Sequence, residues 1–265
     1  MVAKLKYVIL PMLLAALSAH AGISVGTLTL QSEAKRGQVY RGTFTVANTD
    51  TIPRTAIVYQ TDYLFQSDGS NRFDEPGAAP RSNARWITFS PHRIEVPPLQ
   101  SATVSYEVRI PPDSTLAGTY WSMLMVEQLQ TPADLPPTLQ HDQADVRQVV
   151  RYGVQCITEI AGTGRAQLAF SGTRLVSDDG THKELQIDVE NVGERWLAPA
   201  AWMELYDGGG HQVGRFESEK KRIFPGTSVR FRISLGDVPS GKYKALVVLD
   251  NGDQNVFGAK YDLEF

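Results

Sequence analysis

The sequence predicts an all-β protein made of two sandwich units in tandem, and three observations support this. Apolar and polar residues alternate with period two in "GTFTVAN", "ATVSYEVRI", "ELQIDVEN", "SVRFRISL" and "KYKALVVLD", as half-buried antiparallel strands do. Breakers such as "SDGS", "VPP", "IPPDS", "SDDG", "YDGGG" and "NGD" punctuate them at the spacing of an immunoglobulin-like β-sandwich. One pattern also occurs twice: a strand ending in Asn (Asn48, Asn191), a Pro-bearing turn into an alternating strand, then Gly-x-Tyr (Gly118 and Tyr120, Gly241 and Tyr243) opening another. Two sandwich units in sequence explain that echo economically. No stretch beyond the leader has convincing helical periodicity.

The chain opens with Lys4 and Lys6, an apolar run from Tyr7 to Leu17 and the small-x-small signal Ala19-His20-Ala21. This reads as a secretory signal peptide over residues 1–21, cleaved after Ala21. The apolar run is shorter than the roughly 20 residues a membrane span needs, and Pro11 interrupts it. Export without a membrane span in the mature form is therefore expected.

The first unit, residues 22–161, runs from "GISVGTLTLQ" to "GVQCITEI". Asn48 and Asn191 are expected to close turns through side-chain bonds to backbone. In each Gly-x-Tyr step the glycine permits the turn, and the tyrosine ring packs in the sandwich with its hydroxyl at an edge. "DGSNRFDEPG", residues 68–77, lacks the frame of a calcium loop and reads as a hairpin loop. The linker falls at "AGTGRA", residues 161–166, and the second unit fills residues 162–265.

Composition narrows the function. Lys+Arg total 26 against 29 acidic residues, and loss of the leader takes Lys+Arg to 24. No basic footprint for nucleic acid is present. Cys156 is the single cysteine, so no internal disulfide can form, and its place on an apolar strand face reads as a small core residue. The four histidines beyond the leader (His92, His141, His182, His211) are scattered, and no nucleophile elbow or phosphate loop occurs. No catalytic residue, metal or cofactor is expected.

The stretch "RQVVRYGVQCITEI", residues 147–160, stands out. Arg147, Arg151 and Gln155 fall along one face, and Val150, Tyr152, Val154 and Cys156 along the other. Arg147 and Arg151 lie about 13 Å apart along a strand. Two readings stay open at this point. The arginines are solvent-facing and Tyr152 and Cys156 are core, or the strand is an edge that offers apolar side chains to a partner while its polar residues limit self-pairing. Exposed Trp196 is a candidate for stacking on sugar, whereas Trp202 reads as core.

Residues 84–127, "ARWITFSPHRIEVPPLQSATVSYEVRIPPDSTLAGTYWSMLMVE", resemble the N-terminal domain of the PapD-like periplasmic pilus-assembly chaperones. The match rests on Trp86-Ile87 ahead of Ser-Pro, the "VPPLQSATVSYEVRI" strand and "GTYWSMLMVE". The Pro-rich "QTPADLPPTLQHDQAD", Gln130 to Asp145, and "VRQVVRYGVQC" follow in the family's order. The resemblance implies a periplasmic chaperone whose partner is an exported, pilin-like subunit, with an outer-membrane usher as a further partner. It also implies that the strand before the linker pairs with the client. Val146, Arg147, Val150, Arg151, Tyr152 and Val154 would form that client-binding strand, and the Gln130–Asp145 loop would order on binding.

The family holds the client's terminal carboxylate with an Arg on the first strand and a Lys late on the donor strand. Here Thr27 and Thr29 stand on the first strand and Gln155 takes the Lys position, at the expected cleft. The alternative function is a secreted structural or adhesive surface protein that binds cell-wall polymer or a protein partner.

Overall fold

The computed structural model describes residues 22–129, 149–178 and 182–264. The expected signal peptide and the whole Pro-rich connection lie outside them. Among the described residues seventeen strands form four sheets. The first ten are β1 (Ile23–Val25), β2 (Thr29–Ala34), β3 (Val39–Asn48), β4 (Arg54–Phe65), β5 (Asn71–Asp74), β6 (Ile87–Ser90), β7 (Arg93–Val96), β8 (Ser101–Arg109), β9 (Gly118–Leu129) and β10 (Arg151–Ile160). One sheet has the order β1-β3-β8-β6 and the facing sheet β2-β10-β9-β4-β5, with β7 also on β4.

Residues 161–167 lead into β11 (Leu168–Asp178), β12 (His182–Asn191), β13 (Ala200–Tyr206), β14 (Gln212–Ser218), β15 (Ser228–Gly236), β16 (Lys242–Asp250) and β17 (Val256–Glu264). Their sheets are β11-β12-β15 and β14-β13-β16-β17. Strands that alternate between two sheets in this order have the immunoglobulin arrangement.

Each sandwich has its own core, fed by the inward residues of the alternating strands. Phe44, Val46, Val104, Val108, Leu124, Val126 and Val154 meet in the N-terminal one. Leu185, Ile187, Met203, Leu205, Phe231, Ile233 and Val247 meet in the C-terminal one. β9 departs from alternation, with every residue from Gly118 to Val126 buried. It lies inside its sheet, and the other sandwich covers part of its outer face, so both faces are apolar.

The internal echo has a shared cause. The buried Asn48 amide donates to the carbonyls of Ile52, Val96 and Pro97, and its Oδ1 accepts from Asp50 N at 2.9 Å. Buried Asn191 donates to the carbonyls of Arg195 and Ile223, and its Oδ1 accepts from Gly193 N at 2.9 Å. One side chain thus satisfies several backbone groups inside each sandwich. The Gly-x-Tyr steps diverge: Tyr243 donates its hydroxyl to Pro239 O at 2.9 Å, whereas Tyr120 is buried with its ring 4.7 Å from Trp86. Residues 65–71 close the β4–β5 hairpin, with Ser70 N donating to Asp68 Oδ1.

Trp121 stacks on Phe224 of the C-terminal sandwich, with ring centres 4.7 Å apart. Ile157, Leu64, Phe65 and Trp196 complete this small core between the sandwiches. Thr119 N donates to Glu194 O at 2.7 Å, and Trp196 N donates to Thr119 Oγ1 at 2.9 Å.

Candidate strand-addition edge and cleft

The edge originates in a strand that changes sheets. β1 pairs antiparallel with β3 in the first sheet, whereas β2 pairs parallel with β10 in the second. The crossing takes place at Gly26–Leu28, where Gly26 N still donates to Thr45 O while Gln155 N already donates to Leu28 O. β2 therefore covers β10 only from Gln155 to Ile160. On its other side β10 is paired with β9 along its whole length, Arg151 opposite Glu127 through Ile160 opposite Gly118. Among the described residues no strand pairs with Arg151–Val154 on the β2 side.

Backbone alternation decides which groups this leaves open. Gln155 and Ala161 donate toward β2, to Leu28 O and Ala34 O. Residues of the same parity, Arg151 and Gly153, therefore aim their N–H and C=O groups at the vacant side. The even residues turn theirs toward β9.

The predicted site residues separate by parity. Val154 and Cys156 are buried in the N-terminal core, and Tyr152 packs half-buried against it. The Val154 side chain is thus committed to the sandwich's own interior. Val150 is 44% exposed and Val149 43%, so free apolar surface on this stretch lies at its beginning. Val146 and Arg147 lie outside the described residues. Burial pushes the Cys156 thiol up to about 12, which makes it an unreactive thiol at neutral pH.

The odd residues form the face turned outward from that core. Arg151 Nε donates to Glu127 Oε2 at 2.7 Å, and the Tyr59 hydroxyl donates to the same oxygen at 3.0 Å. Arg151 is thus exposed yet paired. Gln155 stands beside Thr29 on β2, with its side chain turned toward the C-terminal sandwich. Its Oε1 faces Arg222 Nη1 at 3.5 Å, and the Arg222 guanidinium lies 4.7 Å from the Trp196 ring centre. No carboxylate among the described residues forms an ion pair with Arg222.

Arg222 was beyond sequence reasoning because its neighbours Gln155 and Trp196 sit 67 and 26 positions away, and only docking of the two sandwiches joins them. The basic run "KKR" before "IFPG" was the one available signal. Trp202 corrects an expectation: it lies on the outward face of β13 and not in the core, with the Arg215 guanidinium 4.1 Å from its ring centre. Among the described residues no group of three or more His, Cys, Asp or Glu could hold a metal, and no helix is long and apolar enough to cross a membrane.

The arrangement defines a tandem immunoglobulin-like protein in which, among the described residues, the start of β10 is unpaired on one side and leads toward Gln155 and Arg222. No family model and no curated protein matches the chain. Solved structures similar to it include the class 5 fimbriae chaperone CfaA, at 9% identity, 90% of this chain, 98% of the other and a TM-score of 0.49. Another is the CsuC–CsuE chaperone–tip adhesion subunit complex of Acinetobacter baumannii Csu pili, at 13%, 90%, 98% and 0.46. A third is the Salmonella enterica SafA pilin in complex with the SafB chaperone, at 15%, 92%, 97% and 0.41.

Proposed function

We propose that this chain is a periplasmic chaperone-like protein that binds an exported, pilin-type subunit by β-strand addition, without catalysis. The vacant side of β10 at Arg151–Val154 carries this reading, because an unpaired strand edge is a template for another chain. Backbone bonds to Arg151 and Gly153 would supply affinity, while exposed Val150 would reach into the client's own core. The chemistry required is binding alone.

Arg222 supplies what the first strand lacks. A client strand added beside β10 and running toward Gln155 delivers its end to the cleft, where the guanidinium can form a charge-assisted bond to a terminal carboxylate. The Gln155 amide, with Oε1 turned to Arg222, has Nε2 left to donate. The adhesive alternative gains little from the aromatics, since arginine guanidiniums already lie over both Trp196 and Trp202.

The test separates backbone pairing from side-chain contact. Arg151→Pro removes an outward N–H, a change edge strands tolerate, whereas Arg151→Ala keeps it. With a photo-cross-linking residue at Val149 in the native envelope, the expected result is one small exported β-rich protein, captured one to one by wild type and Arg151→Ala and lost with folded Arg151→Pro. Equal capture by both variants, or attachment to wall polymer in place of a protein, would sink strand addition.

A further inference from the structure

β17 ends the sheet β14-β13-β16-β17, and among the described residues no strand pairs with its outer side. It runs beside β16 in unbroken register, Lys242 opposite Glu264 through Asp250 opposite Val256, so no bulge turns the edge away from a partner. The hairpin sets the backbone parity. Asn251 N donates to Asn255 O, and hydrogen-bonded pairs recur at every second residue of an antiparallel ladder. The odd residues of β17 therefore bond to β16, while Val256, Gly258, Lys260, Asp262 and Glu264 aim their N–H and C=O groups outward. All of these are exposed.

Both faces of this edge are unfinished. On the solvent face Glu264 holds Lys242 at 3.7 Å, but among the described residues neither Lys260 nor Asp262 has an ion-pair partner. On the core face Phe257 and Tyr261 pack against the C-terminal core yet stay only half-buried. A lysine alone on an edge discourages pairing with other strands. Here a carboxylate follows two residues on, so the run Lys260-Tyr261-Asp262 is its own complement when reversed.

We infer that β17 is a self-association edge, and that a second copy of this chain pairs antiparallel with it about a two-fold axis at Tyr261. In that register Lys260 of each copy stands opposite Asp262 of the other as a hydrogen-bonded pair, and Gly258 stands opposite Glu264. The two Tyr261 residues meet at the closer, non-hydrogen-bonded position, where each ring covers the half-buried face of the other. Opposite charges directly across from one another favour this pairing. Moving the axis by one residue in either direction sets Lys260 against itself or Asp262 against itself, which is unfavourable. The contact is isologous and closes as a dimer, joining two four-stranded sheets into one. It involves the C-terminal sandwich alone and is independent of strand addition at β10, whose open edge lies in the N-terminal sandwich.

The test is a charge swap, read by sedimentation velocity on the full chain at rising concentration. Wild type is expected to pass from monomer to dimer, and hydrogen exchange at the Lys260 and Asp262 amides should slow as it does. Lys260→Glu and Asp262→Lys should each weaken the dimer about tenfold, because both symmetry-related pairs turn from attraction to repulsion. An equimolar mixture of the two variants should dimerise like wild type, since the introduced glutamate then faces the introduced lysine and the remaining Lys260 faces the remaining Asp262. Lys260→Pro removes an outward N–H, a change edge strands tolerate, and should leave a folded monomer. A wild type that stays monomeric, a dimer that survives the single charge variants or the proline, or a mixture that stays monomeric overturns the inference. None of these outcomes bears on the edge of β10.

Discussion

At the scale of single residues, the buried polar and ionisable groups tie the fold to pH. Burial drives the Cys156 thiol from its ordinary 9.0 up to about 12. The Tyr40 phenol rises from 10.0 to about 12 through burial, partly offset by its 2.8 Å hydrogen bond with Thr158. Both groups are neutral in the fold, and the unfolded chain ionises them at lower pH. Their contribution is therefore fully present below about pH 9 and is lost as pH rises toward 12. Urea midpoints should fall steadily between pH 9 and 11, and Cys156→Ala should flatten that slope whatever it does to stability at pH 7. A midpoint independent of pH across this range would contradict the burial of both groups. Iodoacetamide at pH 8 should leave the folded thiol unmodified.

At the scale of elements, alternation made most strands legible, because a half-buried strand encodes its inward face in every second residue. The paired Asn48 and Asn191 were legible as turn closers for a related reason, since a short amide beside a strand end finds local backbone. The resemblance around Trp86 and "GTYWSMLMVE" singled out the stretch at residues 146–156, but it could not divide that stretch into core and edge. That division depends on where β2 stops pairing, which the crossing at Gly26–Leu28 sets and no local pattern records. Trp202 misled for the opposite reason: its alternation is that of a strand, but parity alone does not say which face is inside. The division can be measured. Val154→Asp puts a carboxylate into a fully buried site and should cost several kcal/mol, about 3 or more. Val150→Asp, at a largely exposed position, should leave the urea midpoint within about 0.5 kcal/mol of wild type. Equal destabilisation would place Val150 in the core and remove it from the edge.

At the scale of the whole molecule, two sandwiches with separate cores could unfold separately, and the joint decides whether they do. Gly118 has a φ of +73°, a region that costs other residues about 1 kcal/mol or more. A Cβ there would overlap the carbonyl oxygen of Glu194, the same oxygen that accepts from Thr119 N. Gly164 is packed against Gly118 as well, a Cβ there lying 2.5 Å from the Gly118 Cα. The start of β9 is thus threaded against residues 193–196, with the Trp121–Phe224 stack behind it. Gly118→Ala must push the Glu194 backbone away and break the Thr119 bond, yet it leaves both cores untouched. The expected calorimetric result is one transition for wild type and two for the variant, with far-UV circular dichroism at 20 °C unchanged. The same displacement moves Trp196, and with it Arg222, away from Gln155, while the Arg151–Val154 edge stays intact. Extended peptides should therefore still protect the Gly153 amide from hydrogen exchange in the variant, whereas those ending in a free carboxylate should lose their advantage over amidated ones. If one transition and the full carboxylate advantage both persist, the joint does not position the cleft, and Arg222 reaches its ligand without it.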